Sequence, residues 1–526
     1  MSSNPEAAQV TSKPPVGEHV GSSSHSAGNH SAHGAVFNVL ALLLLIAPLY
    51  RSGKPPLAML TIELVAMVGL GLLLWGRHGL HHLKRFEVVL LSGFVALPLL
   101  HLLPIPLALR QYLPGQADYY AAQQLVGGGG FVSLSLDAQL TFKALLSVLV
   151  PVAVFWLTRS LRARQLRQLV VLFLAMALVQ AFIGLVQYGM ASNPEAFWHF
   201  GLGGGNRAVG TWTSPNNFAG FLNTALMVAL ALFMATLGRH NAMVGRETFR
   251  ERVVYFASWQ GHQAFVYGFI ALMVLLAVIF TRSRMGILCS IVGVVAVTAL
   301  FARRIGGDNV YGLSGTIVAS VLGAAIAIGL GPVVSRFAVT DSLQDGRSLI
   351  FEGTLEGIGQ FFPLGSGVGT YVEVFPRFQD LAQASYTINR AHNSFLEWLF
   401  TGGLPAALLM AGCLYVYARQ WRRLGHVWSE FRFLQMGAGL GCALTLMHDL
   451  ADYNLSIPAN LVYFAFLAGI FFHTHRDVPR VRKRRTKRTK TDEVRSRDLL
   501  TTTSTSSEAP NPFYEPPRTT EAPNGW

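Results

Sequence analysis

Charged residues and cysteine are scarce in this chain. Only 13% of its 526 residues are Asp, Glu, Lys or Arg, whereas 52% are hydrophobic. A soluble domain of ordinary composition has about 25% charged residues, so that class of protein is excluded. The three cysteines, Cys289, Cys413 and Cys442, all fall inside apolar runs, which excludes a disulfide framework and a thiolate metal cluster. This composition is typical of a protein embedded in lipid.

Acidic residues are fewer than basic ones, and the chain carries a formal net charge of +14. The Lys and Arg residues lie in short loops between apolar runs and in the C-terminal tail. That distribution is typical of a membrane protein, so we expect no nucleic-acid partner. The basic tail, from Arg480 to Arg497, suits contact with anionic lipid headgroups.

The apolar runs predict an all-α polytopic membrane protein with about 12 transmembrane helices, because each run is close to the ~20 residues that cross a bilayer. A large loop, residues 333–392, separates spans nine and ten. Its residues from Arg347 onward have the spacing of an amphipathic helix, with Leu349, Ile350, Leu355 and Ile358 on one side. The runs begin near Ala35, Pro56, Phe86, Ala138, Gln168, Phe218, His262, Met285, Tyr311, Asn393, Phe433 and Pro458.

Composition divides the chain into three parts. Residues 1–34 and 476–526 have no apolar periodicity, and we expect both to be disordered tails. Residues 35–475 form the predicted transmembrane domain. Lys and Arg concentrate in the loops after even-numbered spans and in the C-terminal tail, and the positive-inside rule assigns these to the cytoplasm. Both termini are therefore expected to be cytoplasmic, with the large loop on the outer face.

Several arginines lie on the outer face, where that rule predicts depletion. Arg207 follows a glycine run and precedes Pro215-Asn216-Asn217, so backbone can approach a ligand closely there, and Asn217 is a supporting candidate. Arg284 opens a span, where the helix dipole also favours an anion, and Arg347 opens the amphipathic helix. Three guanidinium groups on one face suit a diphosphate or another polyanion, because each presents a planar fork of donors.

A histidine stands immediately before span ten, in the segment Arg390-Ala-His392-Asn393. A neutral imidazole at the edge of a water-accessible cavity can take a proton from an attacking hydroxyl, and nearby cations lower its pKa. The next outer hairpin supplies carboxylates that could orient the histidine, hold an acceptor or cap helix ends. Beside His392, the supporting or acceptor-side candidates are Arg390, Asn393, Asp449 and Tyr453.

In their order along the chain, these motifs resemble the O-antigen ligase and polymerase superfamily. A Gly-rich segment with Asn206-Arg207, a Ser283-Arg284 turn, the Arg347 loop ending in Pro363-Leu-Gly-Ser-Gly-Val-Gly, and His392-Asn393 fall within residues 138–473. The resemblance implies a metal-independent, all-helical glycosyltransferase that depends on a polyisoprenoid carrier. On this resemblance Arg207, Arg284 and Arg347 match the donor-diphosphate contacts, and His392 matches the proposed general base.

Of two further positions, one matches that family and the other departs from it. Asp449 occupies the place of the family's acidic residue in the next outer hairpin. Thr401 stands where the family usually carries Glu, while Glu397 lies one turn earlier, so the local helix contacts are expected to differ.

The resemblance implies transfer of a glycan from an undecaprenyl-diphosphate-linked oligosaccharide to an acceptor hydroxyl at the periplasmic face of the bacterial inner membrane. Such a reaction polymerises or ligates O-antigen or exopolysaccharide, and the acceptor is a lipid-linked glycan, lipid A core or another hydroxyl. No cofactor and no nucleotide sugar are implied. Direct displacement by one activated hydroxyl predicts inversion at the anomeric carbon. Membrane lipids are the remaining expected partners.

Two other classes of function fit twelve spans. A secondary transporter of a small solute shares this layout, but no repeat relates the two halves of the chain. The ionisable residues gather at one face, and only Glu63 and Lys143 are embedded within predicted spans. A non-catalytic scaffold of an envelope polysaccharide assembly complex also stays open, because a sequence does not show turnover. Replacing His392 separates the readings, since a scaffold keeps its function and an enzyme loses its product.

Overall fold

The computed structural model describes residues 23–75, 83–190, 206–241, 259–305, 342–424 and 429–474 of the chain. In this part of the chain nearly all regular structure is helical. The long helices are α1 (Ser23–Ile46), α2 (Pro56–Trp75), α3 (Arg85–His101), α4 (Ala138–Ser160), α5 (Ala163–Gly189), α6 (Pro215–Asn241), α7 (Trp259–Phe280), α8 (Arg284–Ile305), α9 (Ser342–Phe361), α10 (Ser394–Arg423), α11 (Glu430–His448) and α12 (Pro458–Phe471).

Within the described residues, seven helices are long and apolar enough to cross a membrane, namely α2, α4, α5, α6, α7, α8 and α10. Shorter apolar segments occur at Gly34–Ile46 and Pro458–Phe471. A helical multi-pass membrane protein is therefore confirmed, and the number of twelve spans stays a prediction. The helix α1 begins at Ser23 instead of near Ala35. The predicted span near Tyr311 and the predicted C-terminal tail lie outside the described residues.

Capping groups and prolines explain where several helices begin. The Asp137 carboxylate accepts a hydrogen bond from Leu140 N at 2.9 Å and caps α4. The Asn393 side chain accepts from Phe395 N and Leu396 N at 3.0 and 3.1 Å and caps α10. The helices α2, α6 and α12 each start with proline, whose missing N–H costs nothing in the first turn.

The helix α6 lies at the centre of the bundle. Its residues from Asn217 to Thr236 are all buried, and α7, α8 and α11 pack against it. Small residues permit this close contact: a Cβ on Gly437 would lie 2.5 Å from Ala231 Cβ. Large apolar side chains remain exposed on α2 and α8, for example Leu57 and Val295, where lipid would cover them. Such packing through small residues is a main source of helix association in lipid.

The turns before α2, α4, α6, α8, α10 and α12 meet at one end of the bundle, which we call the site end. There, Trp212 Nε1 donates to Asn460 Oδ1 at 2.9 Å, and Ala208 N donates to Phe280 O at 2.9 Å. At the opposite end, which we call the basic end, His473 Nε2 lies 2.9 Å from Leu161 O. The loops predicted to share the outer face therefore lie together at the site end.

Two shorter structures also belong to the site end. The strand β1 (Pro104–Pro106) pairs antiparallel with β2 (Phe131–Ser133), and short helices at Leu107–Arg110 and Ala117–Leu125 lie between them. After α9, the chain passes through Tyr371–Val374, Phe375–Phe378 and Leu381–Gln383 before α10. The 3-10 turns Arg51–Gly53 and Asn454–Ser456 precede α2 and α12.

The buried face of α9 differs from the predicted one. Leu355 was expected on the apolar side, yet it is 54% exposed, whereas Gly353 and Gly357 are buried. A Cβ on either glycine would collide with the chain around Phe378 or with the Phe400 ring, so the helix lies unusually close to both. The spacing of large apolar residues did not predict this buried face of α9, because glycine provides a contact surface without being hydrophobic.

Candidate active site

The segment carrying His392 is held rigidly at the start of α10. The His392 backbone has a φ of 52°, a left-handed conformation that is uncommon for a residue with a side chain. Glu397, one turn into α10, accepts hydrogen bonds from Arg390 Nη1 at 2.7 Å and from Ala391 N at 3.1 Å. Since Asn393 also caps the helix, the residues on both sides of His392 are fixed.

Asp452 is the carboxylate that faces the histidine ring. Its Oδ1 lies 3.9 Å from His392 Nδ1, which is ion-pair distance and longer than a hydrogen bond. The Asp452 side chain is 2% exposed and the His392 side chain is 31% exposed. Tyr453 contacts the same imidazole edge to face, with ring centroids 5.1 Å apart. The open part of the imidazole therefore lies away from Asp452 and carries Nε2.

The charges around His392 act in opposite directions on its pKa. Burial lowers the pKa of this histidine, and the positive charge of Arg347 lowers it further, whereas the carboxylates of Asp452 and Glu397 raise it. The net direction is downward from the usual value of about 6.5. His392 is consequently neutral at neutral pH, which is the state that a general base requires.

Asp449 occupies a different position from Asp452, although both belong to the hairpin between α11 and α12. Its carboxylate is fully buried and accepts from Ser394 Oγ at 2.8 Å, Asn454 N at 2.6 Å and Leu455 N at 3.1 Å. Burial raises the pKa of Asp449 to about 7 despite these hydrogen bonds. Its contacts join the start of α10 to the hairpin.

The arginines nominated from sequence fall into two groups. Arg347, on α9, is half-buried, and its charge acts on both His392 and Tyr453. Arg207 belongs to the second group, because its Nε donates to Thr281 O at 2.9 Å and its Nη2 to Arg282 O at 3.3 Å. These bonds fix Arg207 against the turn that leads directly into Arg284 at the first residue of α8.

The hairpin of residues 449–457 contacts both of these regions. On one side Ser394 N donates to Asp449 O at 3.0 Å, next to His392. On the other side Asn454 lies against Gly220 of α6, where a Cβ could not fit, and Asn460 Nδ2 donates to Asn217 O at 2.9 Å. The hairpin is therefore the structural link between the imidazole and the first turn of α6.

Several buried polar atoms at the site end have no hydrogen-bond partner within the described residues. They include His392 Nδ1, Asp452 Oδ2, both ring nitrogens of His448, and Oδ1 and Nδ2 of Asn217. Buried polar groups are usually satisfied, so these atoms are candidates for contact with a polar ligand. Among the described residues there is no group of three or more His, Cys, Asp or Glu side chains arranged to hold a metal ion.

Sequence reasoning missed three contributions. Glu397 clamps the histidine segment, a role visible only because Arg390 folds back on it at 2.7 Å. Lys54, from the turn before α2, places its Nζ 5.6 Å from the centre of the Tyr453 ring. Asp449 was nominated and Asp452 was not, because spacing alone does not show which carboxylate faces the imidazole. Arg377, which was not nominated, pairs with Asp118 at the surface.

A comparison with known protein families matches part of the chain that contains the candidate site. Residues 269–411 match the family described as O-Antigen ligase, which confirms the resemblance to the ligase and polymerase superfamily over that segment. The match includes Arg284, Arg347 and His392, and it points to ligation or polymerisation of polysaccharide in general. Arg207, Asn217, Lys54 and the hairpin of residues 449–457 lie outside it. A search of curated proteins found no match to the chain.

Proposed function

Starting from a multi-pass membrane protein whose residues 269–411 match the O-antigen ligase family, we propose a metal-independent, inverting glycosyltransferase. It transfers a glycan from an undecaprenyl-diphosphate-linked donor to an acceptor hydroxyl at the periplasmic face of the inner membrane. The reaction serves polymerisation or ligation of O-antigen or exopolysaccharide. On this assignment the site end faces the periplasm and both chain termini are cytoplasmic.

The observation that carries the proposal is the surroundings of His392. A part-exposed imidazole with a lowered pKa stands 3.9 Å from a buried carboxylate and within electrostatic reach of Arg347. An imidazole positioned by a carboxylate at Nδ1 and open at Nε2 is suited to accept a proton from a hydroxyl. Anion-binding guanidinium groups beside such a base are what transfer from a diphosphate carrier requires.

In the proposed reaction, the acceptor oxygen forms a bond to the anomeric carbon while the bond from that carbon to the carrier phosphate oxygen breaks. The electron pair leaves with undecaprenyl diphosphate, and the acceptor proton passes to His392 Nε2. Asp452 orients the ring and stabilises the imidazolium that forms. One displacement inverts the configuration at the anomeric carbon.

The arginines hold the donor and stabilise its leaving group in this scheme. Arg284 binds the diphosphate from the start of α8, and Arg207 binds it from the loop before α6, where its hydrogen bonds hold it against the α7–α8 turn. Arg347 is the arginine whose charge acts on the base. Negative charge on the carrier phosphate grows as the glycosidic bond breaks, so fixed guanidinium groups lower the barrier. Arg390 forms an ion pair with Glu397, and the Asn393 side chain caps α10. Both residues therefore support His392 by fixing the backbone on either side of it.

The test is glycan transfer by the purified full-length protein in nanodiscs, supplied with an undecaprenyl-diphosphate oligosaccharide and candidate acceptors. We expect product from the wild type with EDTA present, and a fall of about 100- to 10,000-fold in His392→Ala, the range of general-base contributions. Arg284→Ala should also lose transfer. His262→Ala and Arg164→Ala, exposed residues of the basic end, serve as matched controls and should retain activity.

Undiminished transfer by a folded His392→Ala protein would remove the general base from the mechanism. Loss of product on adding EDTA would contradict metal independence. Absence of product with every donor and acceptor, together with unchanged polysaccharide in cells carrying His392→Ala, would favour a secondary transporter or a non-catalytic scaffold.

A further inference from the structure

The turn before α2 brings a lysine into the candidate active site. We propose that Lys54 is an anion-binding residue of this site and takes a phosphate or carboxylate group of a substrate beside Tyr453 and His392. The inference rests on the proposed glycan transfer and extends it to a part of the chain outside the family match. No sequence motif pointed to this turn as part of the site.

The backbone of the turn fixes where the lysine points. Arg51, Ser52 and Gly53 have φ values of 48°, 56° and 79°, three successive left-handed residues. Ser52 is fully buried, and a Cβ on Gly53 would lie 2.7 Å from Ile62 Cδ1 and 3.0 Å from Pro458 Cβ. The turn is therefore packed tightly against the start of α12. Packing, and not a mobile loop, directs Lys54 toward the hairpin that carries Tyr453.

The ammonium group lies over the ring of Tyr453, the tyrosine that also contacts the proposed base. Lys54 Nζ is 5.6 Å from the centre of the Tyr453 ring, and the His392 ring centroid is 5.1 Å from the same centre. Burial and the charge of Arg390 lower the pKa of Lys54, and the carboxylate of Asp452 raises it. Within the part of the chain that the structure describes, no carboxylate lies within ion-pair distance of Nζ.

The two carboxylates nearest to this place, those of Glu397 and Asp452, face other groups and stand beyond ion-pair distance of Lys54. Glu397 binds Arg390 and a backbone amide, and Asp452 accepts from Tyr453 N at 2.9 Å while facing His392. A partly buried cation without a counter-ion is costly, because it has lost water without gaining an opposite charge. An anion bound beside Tyr453 would supply that charge.

Two substrate groups share this chemistry. One is the diphosphate of the carrier, and the other is a phosphate or carboxylate on an acidic acceptor glycan. Both would be held as point charges by the ammonium group, in contrast to the planar pairing of a guanidinium group. Kinetics with each substrate varied in turn distinguish them.

The test compares the wild type with Lys54→Gln and Lys54→Met, both of which remove the charge, and with Lys54→Arg. Lys143→Gln, at an exposed lysine of α4, is the matched control. We expect KM to rise about 10-fold or more in the Gln and Met variants, equivalent to about 1.4 kcal/mol, with kcat changed less than threefold. Lys54→Arg should recover most of the affinity. The Met variant retains the apolar stem if Gln disturbs folding.

A higher KM for the lipid-linked donor, with weaker inhibition by undecaprenyl diphosphate, identifies the carrier diphosphate as the ligand. A higher KM only for acidic acceptors identifies the acceptor. Equal KM values and equal inhibition across wild type, both charge-removing variants and the control would overturn the inference. Direct binding of undecaprenyl diphosphate is measured as well. If the wild type binds it and Lys54→Gln binds it more weakly, Lys54 keeps its role even where glycan transfer fails.

Discussion

Two buried pairs of ionisable side chains, Arg159 with Glu87 and His392 with Asp452, lie at opposite ends of the bundle and differ in how closely their members approach. At the basic end, Arg159 Nη2 lies 3.3 and 3.2 Å from the two Glu87 carboxylate oxygens, and Lys84 N donates to the same carboxylate at 2.9 Å. At the site end, Asp452 and His392 are separated by 3.9 Å, and each retains a buried polar atom without a partner in the described chain.

The difference separates structural charges from functional ones. The groups of a closed ion pair are not available to a ligand. Removing one partner leaves the other charge buried without an opposite charge. An unsatisfied imidazole or carboxylate costs stability in the free protein and is retained where a substrate completes its bonding. Substitutions in the Arg159–Glu87 pair should therefore affect folding, and those in the His392–Asp452 pair should affect turnover.

The largest expected effect is on folding at the basic end. Glu87→Gln leaves the Arg159 guanidinium buried without a counter-charge, and we expect a loss of about 3–5 kcal/mol in the free energy of unfolding. Thermal denaturation in detergent measures it. The double variant Glu87→Met with Arg159→Met should recover much of that loss, since no charge then remains buried. A double variant as unstable as the single one would break the comparison.

At the site end, Asp452→Asn should lower kcat by about 10- to 100-fold, or about 1.4–2.7 kcal/mol of barrier, with little change in unfolding. The physical reason is loss of the charge that positions His392 and stabilises its protonated form. Asp118→Asn, at an exposed carboxylate of the same end, is the control and should be neutral. A pronounced stability loss without a kinetic effect would make Asp452 a structural residue.

The pH dependence of kcat should move in opposite directions in two variants. Since the base must be neutral, activity falls as pH drops below the pKa of His392. Removing the positive charge in Arg347→Gln raises that pKa and shifts the acid limb to higher pH. Asp452→Asn lowers the pKa and shifts the limb downward. Identical limbs in both variants would mean that a different group controls the profile.

The smallest expected effect is on the stability of Asn217→Ala. Neither polar atom of this buried amide is paired within the described residues, so we expect no loss and a gain of at most about 1 kcal/mol, while transfer falls. Asn460→Ala is the contrast, because its amide bonds Trp212, Asn454 and the Asn217 carbonyl. That variant should lose about 2 kcal/mol. Denaturation and transfer assays on the same preparations decide the question.

Much of the helical layout followed from local sequence. Pro56, Asp137 and Pro458 each mark a helix start because a proline or a capping carboxylate acts on the next few residues alone. Apolar run length identified the spanning helices for the same reason. The close approach of α9 to α10 was missed, because it depends on Gly353 and Gly357 meeting groups distant in sequence.

Residues of the candidate site that belong to a local sequence motif could be predicted. Residues that only the folded chain brings to the site could not. His392 and Arg347 were nominated from spacing and resemblance, and the structure places Arg347 where its charge acts on His392. The roles of the two hairpin carboxylates differ only through their partners: Ser394 and backbone amides for Asp449, the imidazole for Asp452. Lys54 could not be found at all, because its place depends on the packing of a turn against α12.

The hydrogen bonds of Arg207 have a consequence for the timing of binding. A free arginine loses much of its rotational freedom when it grips a phosphate, and that loss weakens binding. Here the side chain is already immobilised by the Thr281 and Arg282 carbonyls before any donor arrives. In the proposed reaction, this entropy is therefore lost during folding, and binding of the carrier diphosphate gains its electrostatic attraction with little reorganisation.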